Sequence, residues 1–557
     1  MRWRSTLGVA ALAACCLVGT AAPAAAFTQL DGPSGCVAQP DAVKREGGCA
    51  HGRGLLGASG VAVSPDGRNV YVASALSDAV SAYGRDPATG ALTQLGCVSH
   101  NGTNGFDGTG GECVDGKALD GAAAVVVSPD GAHVYVASAI SNAIAEFSRD
   151  PSTGELTQVG CIEEFGEQAC YDGRALLGAN ALAITPNGRN VYVASPGSDA
   201  VAVLSRNAGS GRLNSQGCVS DDATDGACSD GVALVGAADV AVAPDGGSVF
   251  AAAPGSGALL SLVRDDGSGL LRPSGCLLPA APRGPCTSAD DLSLPGAVAV
   301  APDGANAYVA GESGRLSVVS IESGDLSARG CLEDPDAFFD EDDEDFDEEE
   351  FDAAGEPPTR CTPARGLLGA RDLAVTPAGT KVLVAGAALS VFDRNRRSGA
   401  LAPENCVSDR GGSCDNGVGL RGLSGVVVSP DGRNAYAAAR DSSAITAYGE
   451  GTTPARGSAR LDGSRVVLRL RCPAIRSGGC KGRVALERRH GRAAAAVGSR
   501  GFRVAAGRSA AVPVPVSRRV RRSLAEHRRS RLTVVVSEPG ALLRPVRHVV
   551  TVQGRPR

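Results

Sequence analysis

A segment of eleven residues recurs seven times along the chain, and this repeat restricts its possible folds more than any other feature. The copies resemble SPDGRNVYVAS and begin at Ser64, Ser128, Thr185, Ala243, Ala301, Thr376 and Ser429. Their spacing, 53 to 75 residues and mostly near 58, is typical of propeller blades of four antiparallel strands. The first hairpin of each blade is predicted from three consecutive features. These are an apolar run, a tight Pro-Asp-Gly turn, and a segment in which apolar and polar residues alternate. Segments such as AVSAYGRD and LTQLGCV predict the third and fourth strands.

The fourth strand predicts how the ring closes. It occurs six times for seven repeats, at 92–98, 156–162, 213–219, 271–277, 326–332 and 401–407. The seventh repeat ends after AITAYGE, and the missing strand is found near the N-terminus, in FTQLDGPSGCV at 27–37. We therefore predict an all-β, seven-bladed β-propeller over residues 27–449 that its N-terminal strand closes, so that no sheet edge is left open.

The N-terminus has the order of a secretory signal. MRWR precedes an apolar run over residues 7–18, and small residues follow up to Ala26, so residues 1–26 are the predicted signal peptide. The alternative is a lipoprotein signal, LAAC, with Cys15 as the acylated residue. No later segment has the apolar length of a membrane span. We expect a monomer that is secreted or held at the cell surface.

The cysteines predict a disulfide framework. Without Cys15 and Cys16 there are sixteen, an even number in an exported chain, and a fourth strand ending in Cys is each time followed by one more before the next blade. A zinc site does not fit this pattern, because the cysteine pairs are widely spaced and the histidines do not join them. The predicted pairs are Cys36–Cys49, Cys97–Cys113, Cys161–Cys170, Cys218–Cys228, Cys276–Cys286, Cys331–Cys361, Cys406–Cys414 and Cys472–Cys480.

Charge divides the chain into two unlike parts. Residues 27–457 hold 28 basic and 56 acidic residues, a balance of −28, whereas residues 458–557 hold 24 basic and 4 acidic residues, a balance of +20. Much of the acidic excess lies in one insertion, residues 333–352, with 14 acidic residues and four Phe. It is interpreted as a self-repelling loop, as a calcium ligand set without the regular spacing of a tuned site, or as a docking segment. No cofactor is evident.

The basic part predicts a second, small domain. After a linker at 450–458, alternating segments such as RVVLRLRC and RLTVVVSE predict a β-sandwich over residues 459–557, which resembles accessory Ig-like modules of exported bacterial proteins. Its only aromatic residue is Phe502, so we do not expect nucleic-acid binding. The arginines have two interpretations. They attract an anionic cell-wall polymer or lipid headgroups, or they form a surface that keeps the domain soluble.

The blade units SPDGRNVYVAS and YGRDPATGALTQL resemble those of the lactonase-like seven-bladed propellers, the family of bacterial phosphogluconolactonase. The resemblance covers residue 27 to about residue 449 and implies a pocket at one mouth of the channel and hydrolysis of a lactone. No catalytic signature of that family maps onto particular residues here. The cysteine pairs depart from the cytosolic enzyme's pattern.

Residues just before each inner strand should line the channel mouth, and a site would lie where they depart from the repeat. Asp239 or Asp372 is the candidate base and Arg371 the candidate cation for an oxyanion. In the other interpretation Arg371 and Asp372 are ordinary rim charges. Ser59, Asn180 and Ser424 are the candidate binding residues, and no metal ligand is predicted. His51, His100 and His133 are expected to be solvated.

Two functions follow from these observations. The first is a binding or scaffold propeller at the cell surface or outside the cell, for an anionic cell-wall polymer, a carbohydrate or a protein. The second is a lactone hydrolase with its site at the channel mouth.

Overall fold

The structure is a computed structural model. It describes residues 27–30, 32–40, 48–104, 110–166, 170–221, 228–279, 286–322, 324–338, 361–410, 414–450, 453–454, 459–472, 480–490, 493–505, 508–526, 529–537 and 546–553. The predicted signal segment with Cys15, and the acidic insertion from residue 339 onward, lie outside the described residues. The described secondary structure is almost entirely β, as predicted.

The first half of the propeller contains three complete blades. Three short strands precede them, β1 (Phe27–Gln29), β2 (Cys36–Ala38) and β3 (Ala50–His51). Blade 1 comprises β4 (Ala58–Val63), β5 (Asn69–Ser74), β6 (Ala79–Arg85), β7 (Leu92–Ser99) and β8 (Val114–Asp115). Blade 2 comprises β9 (Ala122–Val127), β10 (His133–Ser138), β11 (Ala143–Arg149), β12 (Leu156–Glu163) and β13 (Tyr171–Asp172). Blade 3 comprises β14 (Ala181–Ile184), β15 (Asn190–Ser195), β16 (Ala200–Arg206), β17 (Leu213–Ser220) and β18 (Ser229–Asp230).

The second half adds four more blades. Blade 4 comprises β19 (Asp239–Val242), β20 (Ser248–Ala253), β21 (Ala258–Arg264), β22 (Leu271–Leu278) and β23 (Cys286–Ser288). Blade 5 comprises β24 (Pro295–Val300), β25 (Asn306–Gly311), β26 (Arg315–Glu322), β27 (Asp325–Glu333) and β28 (Thr362–Pro363). Blade 6 comprises β29 (Asp372–Val375), β30 (Lys381–Ala385), β31 (Leu389–Arg394), β32 (Leu401–Ser408) and β33 (Asp415–Asn416). Blade 7 contributes β34 (Leu423–Val428), β35 (Asn434–Ala439) and β36 (Ala444–Glu450).

The blades share one strand plan. Four antiparallel strands follow one another, and the predicted strand types are confirmed. A short fifth strand, parallel to the fourth, was not predicted, because two exposed residues such as those of β8 show no apolar alternation. The seven innermost strands, β4, β9, β14, β19, β24, β29 and β34, each lie beside the next, and β34 lies beside β4. They surround a central channel.

The sheet of blade 7 combines both ends of the propeller. β36 pairs antiparallel with β35 on one side and with β1 and β2 on the other, with Phe27 opposite Glu450 and Cys36 opposite Thr446. β3 then pairs with β2. The Phe27 side chain is only 1% exposed and packs in one apolar cluster with Leu389 and Tyr448.

The repeated turn shows why the motif folds as it does. In blade 1 the Ser64 hydroxyl donates to Asp66 Oδ1 at 2.6 Å and accepts from the Asn69 amide at 2.9 Å. Asp66 Oδ1 also accepts from the Arg68 amide, and Gly67 has a φ of 68°, which few residues other than glycine adopt readily. The turn thereby fixes the register of β4 against β5.

An arginine at the end of the third strand joins most blades to the preceding one. Arg149 Nε donates to the Tyr71 hydroxyl of blade 1 at 3.0 Å, and Arg149 Nη2 donates to Asp66 at 2.7 Å and to Asn69 at 2.6 Å. Arg149 Nη1 donates to the Gly131 carbonyl of its own blade. We call this arrangement the clasp. Related contacts are made by Arg85, Arg206, Arg264 and Arg394.

Two of the seven interfaces lack the clasp, and we call them the two open seams. Between blades 4 and 5, Phe250 replaces the tyrosine and Ile321 stands at the arginine position, and both lie in one apolar cluster. Between blades 6 and 7, Leu383 replaces the tyrosine and Glu450 stands at the arginine position. At both seams the arginine has been lost together with its tyrosine.

All eight predicted disulfides are formed. The seven in the propeller each join the end of a fourth strand to the crossing that follows it, with Cα separations of 4.4 to 4.8 Å. Cys472–Cys480 is the eighth. Disulfides persist in oxidising compartments, so the pairs indicate a location outside the cytoplasm. No helix among the described residues is long and apolar enough to cross a membrane.

The C-terminal part forms a separate sheet. Its strands are β37 (Thr453–Pro454), β38 (Arg460–Asp462), β39 (Arg465–Arg471), β40 (Cys480–His490), β41 (Ala493–Val504), β42 (Ser509–Pro515), β43 (Arg529–Ser537) and β44 (Val546–Gln553). They are hydrogen-bonded into one eight-stranded sheet around an apolar core that includes Val466, Leu486 and Val534. The Ig-like sandwich stays a prediction. The helix α1 (Arg518–Glu526) was not predicted.

Candidate functional site at the channel mouth

All inner strands begin at one end of the propeller, which we call the mouth face. The turns between second and third strands lie at the same end. In blade 1, for example, the Leu76 amide donates to the Leu56 carbonyl at 3.1 Å, just ahead of the inner strand. The disulfide-linked crossings lead into the inner strands and lie there too. The mouth face therefore contains every residue that the sequence placed at the channel mouth.

The predicted binding residues Ser59 and Ser424 join neighbouring blades. The Ser424 hydroxyl donates to the Ala58 carbonyl of blade 1 and the Ser59 hydroxyl to the Ala122 carbonyl of blade 2, both at 2.8 Å. The following glycines allow this approach, since a Cβ on Gly60 would lie 2.7 Å from a carbonyl oxygen of blade 2. These hydroxyls are therefore engaged in holding the inner strands together.

Asn180 and Arg371 have different surroundings. Asn180 Nδ2 donates to the Ala238 carbonyl of blade 4 at 2.8 Å. The Arg371 side chain is 48% exposed, and its Nη2 lies 3.0 Å from Glu312 Oε1 on the rim of blade 5. Arg371 has no described ion pair with Asp372, its neighbour in sequence. The structure thus places Arg371 at the rim, paired with a different carboxylate.

Asp239 and Asp372 occupy equivalent positions at the start of their inner strands. One oxygen of Asp239 accepts from the Val298 amide of blade 5 at 2.7 Å, and the other accepts from its own blade's Val240 amide at 2.8 Å. Asp372 accepts in the same way from the Val426 amide of blade 7 and from the Leu373 amide. Each carboxyl group therefore bridges its own blade to the next.

The two carboxyl groups are electrostatically linked. Burial raises the pKa of Asp239 to about 6, although two backbone N–H groups lower it. Burial, and then the charge of Asp239, raises the pKa of Asp372 to about 8. Both residues are half-buried, and the protein around them solvates charge less well than water does. Asp239 is therefore the more readily ionised of the two carboxyl groups, and Asp372 is the more readily protonated.

The aspartates lie at the two open seams. Asp239 links blades 4 and 5, and Asp372 links blades 6 and 7, which are the interfaces without a clasp. At these two interfaces the arginine and tyrosine of the clasp are missing at the end of the blades away from the mouth. At the mouth end, the carboxylate of Asp239 or Asp372 accepts a hydrogen bond from the next blade. Asp239 and Asp372 depart from the repeat and therefore have a structural role, since each one joins two blades that no clasp holds together.

Two further titratable groups differ from what the sequence suggested. His133 was expected to be solvated, and that expectation is wrong: it is 5% exposed, and its Nδ1 lies 2.7 Å from Arg206 Nη2, where other blades have the asparagine of the clasp. Glu146 on β11 was not singled out at all. Its side chain is fully buried, Oε1 accepts from the Leu213 amide at 2.8 Å, and Oε2 has no partner. Burial raises the pKa of Glu146 to about 7.

The mouth face also has a groove outside the channel. Its volume is about 400 Å³, and Glu164, Asp172, Arg174, Ser198 and Asp199 contribute to its lining. Glu164 and Asp199 already accept bonds from the Leu176 and Gly236 amides. The groove arises from crossing segments that do not follow the repeat, so no pattern predicted it. Among the described residues, no cluster of three His, Cys, Asp or Glu side chains is placed to hold a metal ion.

Large apolar side chains are exposed around the mouth. Leu76 and Ile140 lie in equivalent turns of blades 1 and 2 and are 60% and 65% exposed. Val235 and Leu294, just ahead of the inner strands of blades 4 and 5, are 40% and 55% exposed. These residues were not predicted, because an apolar residue in a loop carries no chemical signal in the sequence, unlike the polar departures from the repeat.

Comparison with known proteins supports the fold over the first three blades. Residues 57–223 match the family model described as lactonase, 7-bladed beta-propeller. This supports the predicted resemblance to lactonase-like propellers. No curated protein sequence matches the chain.

Solved structures of low sequence identity also align with the chain. A putative 6-phosphogluconolactonase from Bacteroides uniformis is 17% identical, with 62% of this chain and 82% of that chain covered and a TM-score of 0.41. One from Bacteroides fragilis is 18% identical, with the same coverage and a TM-score of 0.42. A periplasmic gluconolactonase from Pseudomonas aeruginosa is 19% identical, with 64% and 86% covered and a TM-score of 0.43.

Proposed function

We propose that the mature chain is an exported binding protein whose propeller holds a partner against its mouth face. The exposed apolar side chains around the mouth carry this proposal: Leu76, Ile140 and Leu294 are each more than half exposed. Single exposed apolar residues are common, whereas several around one opening are typical of interaction sites. Exposed aliphatic side chains spread around the opening favour a protein partner over a small ligand, because a protein can cover several of them at once.

The hydrogen bonds of the mouth support binding rather than catalysis. The hydroxyls of Ser59 and Ser424 and the amide of Asn180 end on backbone carbonyls of the next blade. Arg371 pairs with Glu312 and leaves the two aspartates without a described cation. A rigid ring with exposed apolar side chains is suited to presenting a surface. The predicted signal and the disulfides support secretion or display at the cell surface.

The binding proposal is tested with a double substitution on the mouth face. We expect Leu76→Ser with Ile140→Ser to weaken binding of the purified protein to cell-surface protein extracts by at least about tenfold, since each buried aliphatic side chain contributes about 1.5 kcal/mol or more. Binding is measured in about 0.5 M salt, where screening suppresses attraction by the basic domain.

The matched control is Leu95→Ser with Leu270→Ser, two leucines that are 38% and 42% exposed on other parts of the blades. These substitutions should leave binding unchanged. Equal loss in both double variants would contradict a role for the mouth face. Binding that survives protease treatment of the extract but not glycosidase treatment would assign the face to carbohydrate instead.

The aspartate pair favours a second candidate, hydrolysis of a lactone. Ionised Asp239 would take a proton from water, whose oxygen attacks the lactone carbonyl carbon, and protonated Asp372 would return a proton to the ring oxygen as the ring C–O bond breaks. The products balance as one hydroxy acid from one lactone and one water. The candidate cation Arg371 would first have to leave Glu312.

A lactone-hydrolysis screen decides this candidate. If the pair is catalytic, Asp372→Asn should lower kcat by about 10² or more, the usual contribution of a general acid. The rate of the parent should fall as pH rises through the pKa of Asp372, because the acid is then lost. Arg371→Ala, on the rim, should lower kcat only if the arginine turns inward. Hydrolysis that Asp239→Asn and Asp372→Asn leave unchanged would remove the pair from the mechanism.

A further inference from the structure

The C-terminal helix α1 presents four arginines to solvent. Arg518, Arg519, Arg521 and Arg522 are all exposed, whereas Val520 and Leu524 pack against the core of the sheet. Ser523 accepts from Arg488 Nη1 at 2.8 Å, which ties the helix to β40. We call α1, with these four exposed arginines, the arginine helix. Its position is fixed by the core, so its charges stay together.

The like charges in this domain repel one another. On α1, Arg518 lies three and four residues from Arg521 and Arg522, spacings at which like charges destabilise a helix. On the sheet, Lys481 stands directly opposite Arg503, an unfavourable cross-strand pair. Within the described residues, none of these side chains has an ion-pair partner. Repulsion between these positive charges destabilises the folded domain. Their presence indicates that a negatively charged ligand neutralises them.

The residue types define the ligand. The domain has 23 Arg and one Lys, and the guanidinium group binds phosphate with two parallel hydrogen bonds, which an ammonium group does not. Phe502, the only aromatic, is 8% exposed and offers no surface for stacking bases. The helix has its apolar residues in the core and nothing to insert into lipid. These features favour a phosphate polymer in solution or in a wall over nucleic acid and membrane.

We infer that the arginine helix binds a linear polyanion that carries repeated phosphate groups. Its four exposed charges are distributed along the helix, so several phosphates are bound at once and a single phosphate is held weakly. The inference does not depend on what the propeller binds. It gives the basic domain the role of attaching the chain to a phosphate-rich polymer.

The test uses the full mature chain and long-chain inorganic polyphosphate. Changing Arg518, Arg519, Arg521 and Arg522 together to Gln, which keeps helix propensity, should weaken binding at 0.1 M salt by at least about tenfold. The decrease of log affinity with log salt concentration should also become less steep, because fewer counterions are displaced. Thermal unfolding of the variant checks that the domain is still folded.

The control removes the same charge from the propeller, by changing the exposed Arg53, Arg68, Arg189 and Arg433 to Gln. Polyphosphate affinity should change less than about twofold in this control, because these charges belong to the propeller and not to the arginine helix. Equal weakening in both quadruple variants would reduce the effect to net charge and overturn the inference. Tighter binding to phosphatidylglycerol vesicles than to polyphosphate at equal phosphate concentration would overturn it in favour of a membrane.

Discussion

Deleting residues 27–38 should prevent the propeller from forming a stable ring. β36 would lose both β1 and β2, Cys49 would lose its partner, and the cavity left by Phe27 would open in the core of blade 7. An unpaired edge strand also promotes aggregation. The combined loss is comparable with the whole stability of a domain, about 5 to 15 kcal/mol. We expect aggregated protein in size-exclusion chromatography and no cooperative thermal transition of the propeller.

Single substitutions in β1 test the same closing role through a measurable change in the free energy of unfolding. Phe27→Ala should lower the free energy of unfolding by about 3 to 5 kcal/mol, as for other buried phenylalanines, whereas Thr28→Ala in the same strand should cost less than about 1 kcal/mol. A synthetic peptide of residues 27–39 should bind the truncated protein and restore monomers. A truncated chain that is monomeric and unfolds at the parental temperature would contradict the closing role of β1 and β2.

Glu146→Gln should stabilise the protein, and more so at high pH. The unfolded carboxyl ionises near 4.5 and the folded one near pH 7, because burial opposes its charge. The favourable contribution of the protonated group is therefore complete below pH 4.5 and is lost as pH rises through 7. At pH 8 the ionised group costs about 3 kcal/mol, which glutamine avoids while keeping the bond from the Leu213 amide.

Unfolding in denaturant at pH 5 and pH 8 measures the effect. The difference between Glu146→Gln and the parent should be largest at pH 8 and smaller at pH 5. Glu155→Gln, an exposed glutamate of the same blade, should stay within about 0.5 kcal/mol at both values. A Glu146→Gln variant less stable than the parent at pH 8 would mean that the free Oε2 has a partner essential to the fold.

The sequence sufficed for features that recur or that depend on chain spacing. Seven turn motifs predicted the blades, and alternate cysteines predicted the disulfides, because both are local patterns with few structural solutions. The clasp was not predicted. Its arginine and tyrosine lie in neighbouring blades and are far apart in sequence, by 78 residues for Arg149 and Tyr71 and by 351 for Arg85 and Tyr436. Only a three-dimensional structure shows that their loss at the two open seams is paired.

Other features were missed for different physical reasons. Glu146 lies in an apolar strand, where the sequence pattern assigns a single carboxylate to the outward-facing side. The partners of Asp239 and Asp372 are backbone N–H groups, which every residue has and no sequence pattern marks. Helix α1 had a usable signal, since Ser517 caps it by accepting from the Val520 amide, but the short segment lies between strands and its arginines resembled solvated strand residues.

The closure of blade 7 separates early from late steps of folding. Each disulfide joins cysteines only 8 to 30 residues apart, so it can form soon after its own crossing emerges. β1 emerges first, but its partner β36 lies some 420 residues later, as in the bond between Thr28 and Gly449. The first strand of the propeller must therefore stay unpaired until nearly the whole propeller has been made, so ring closure comes late in folding.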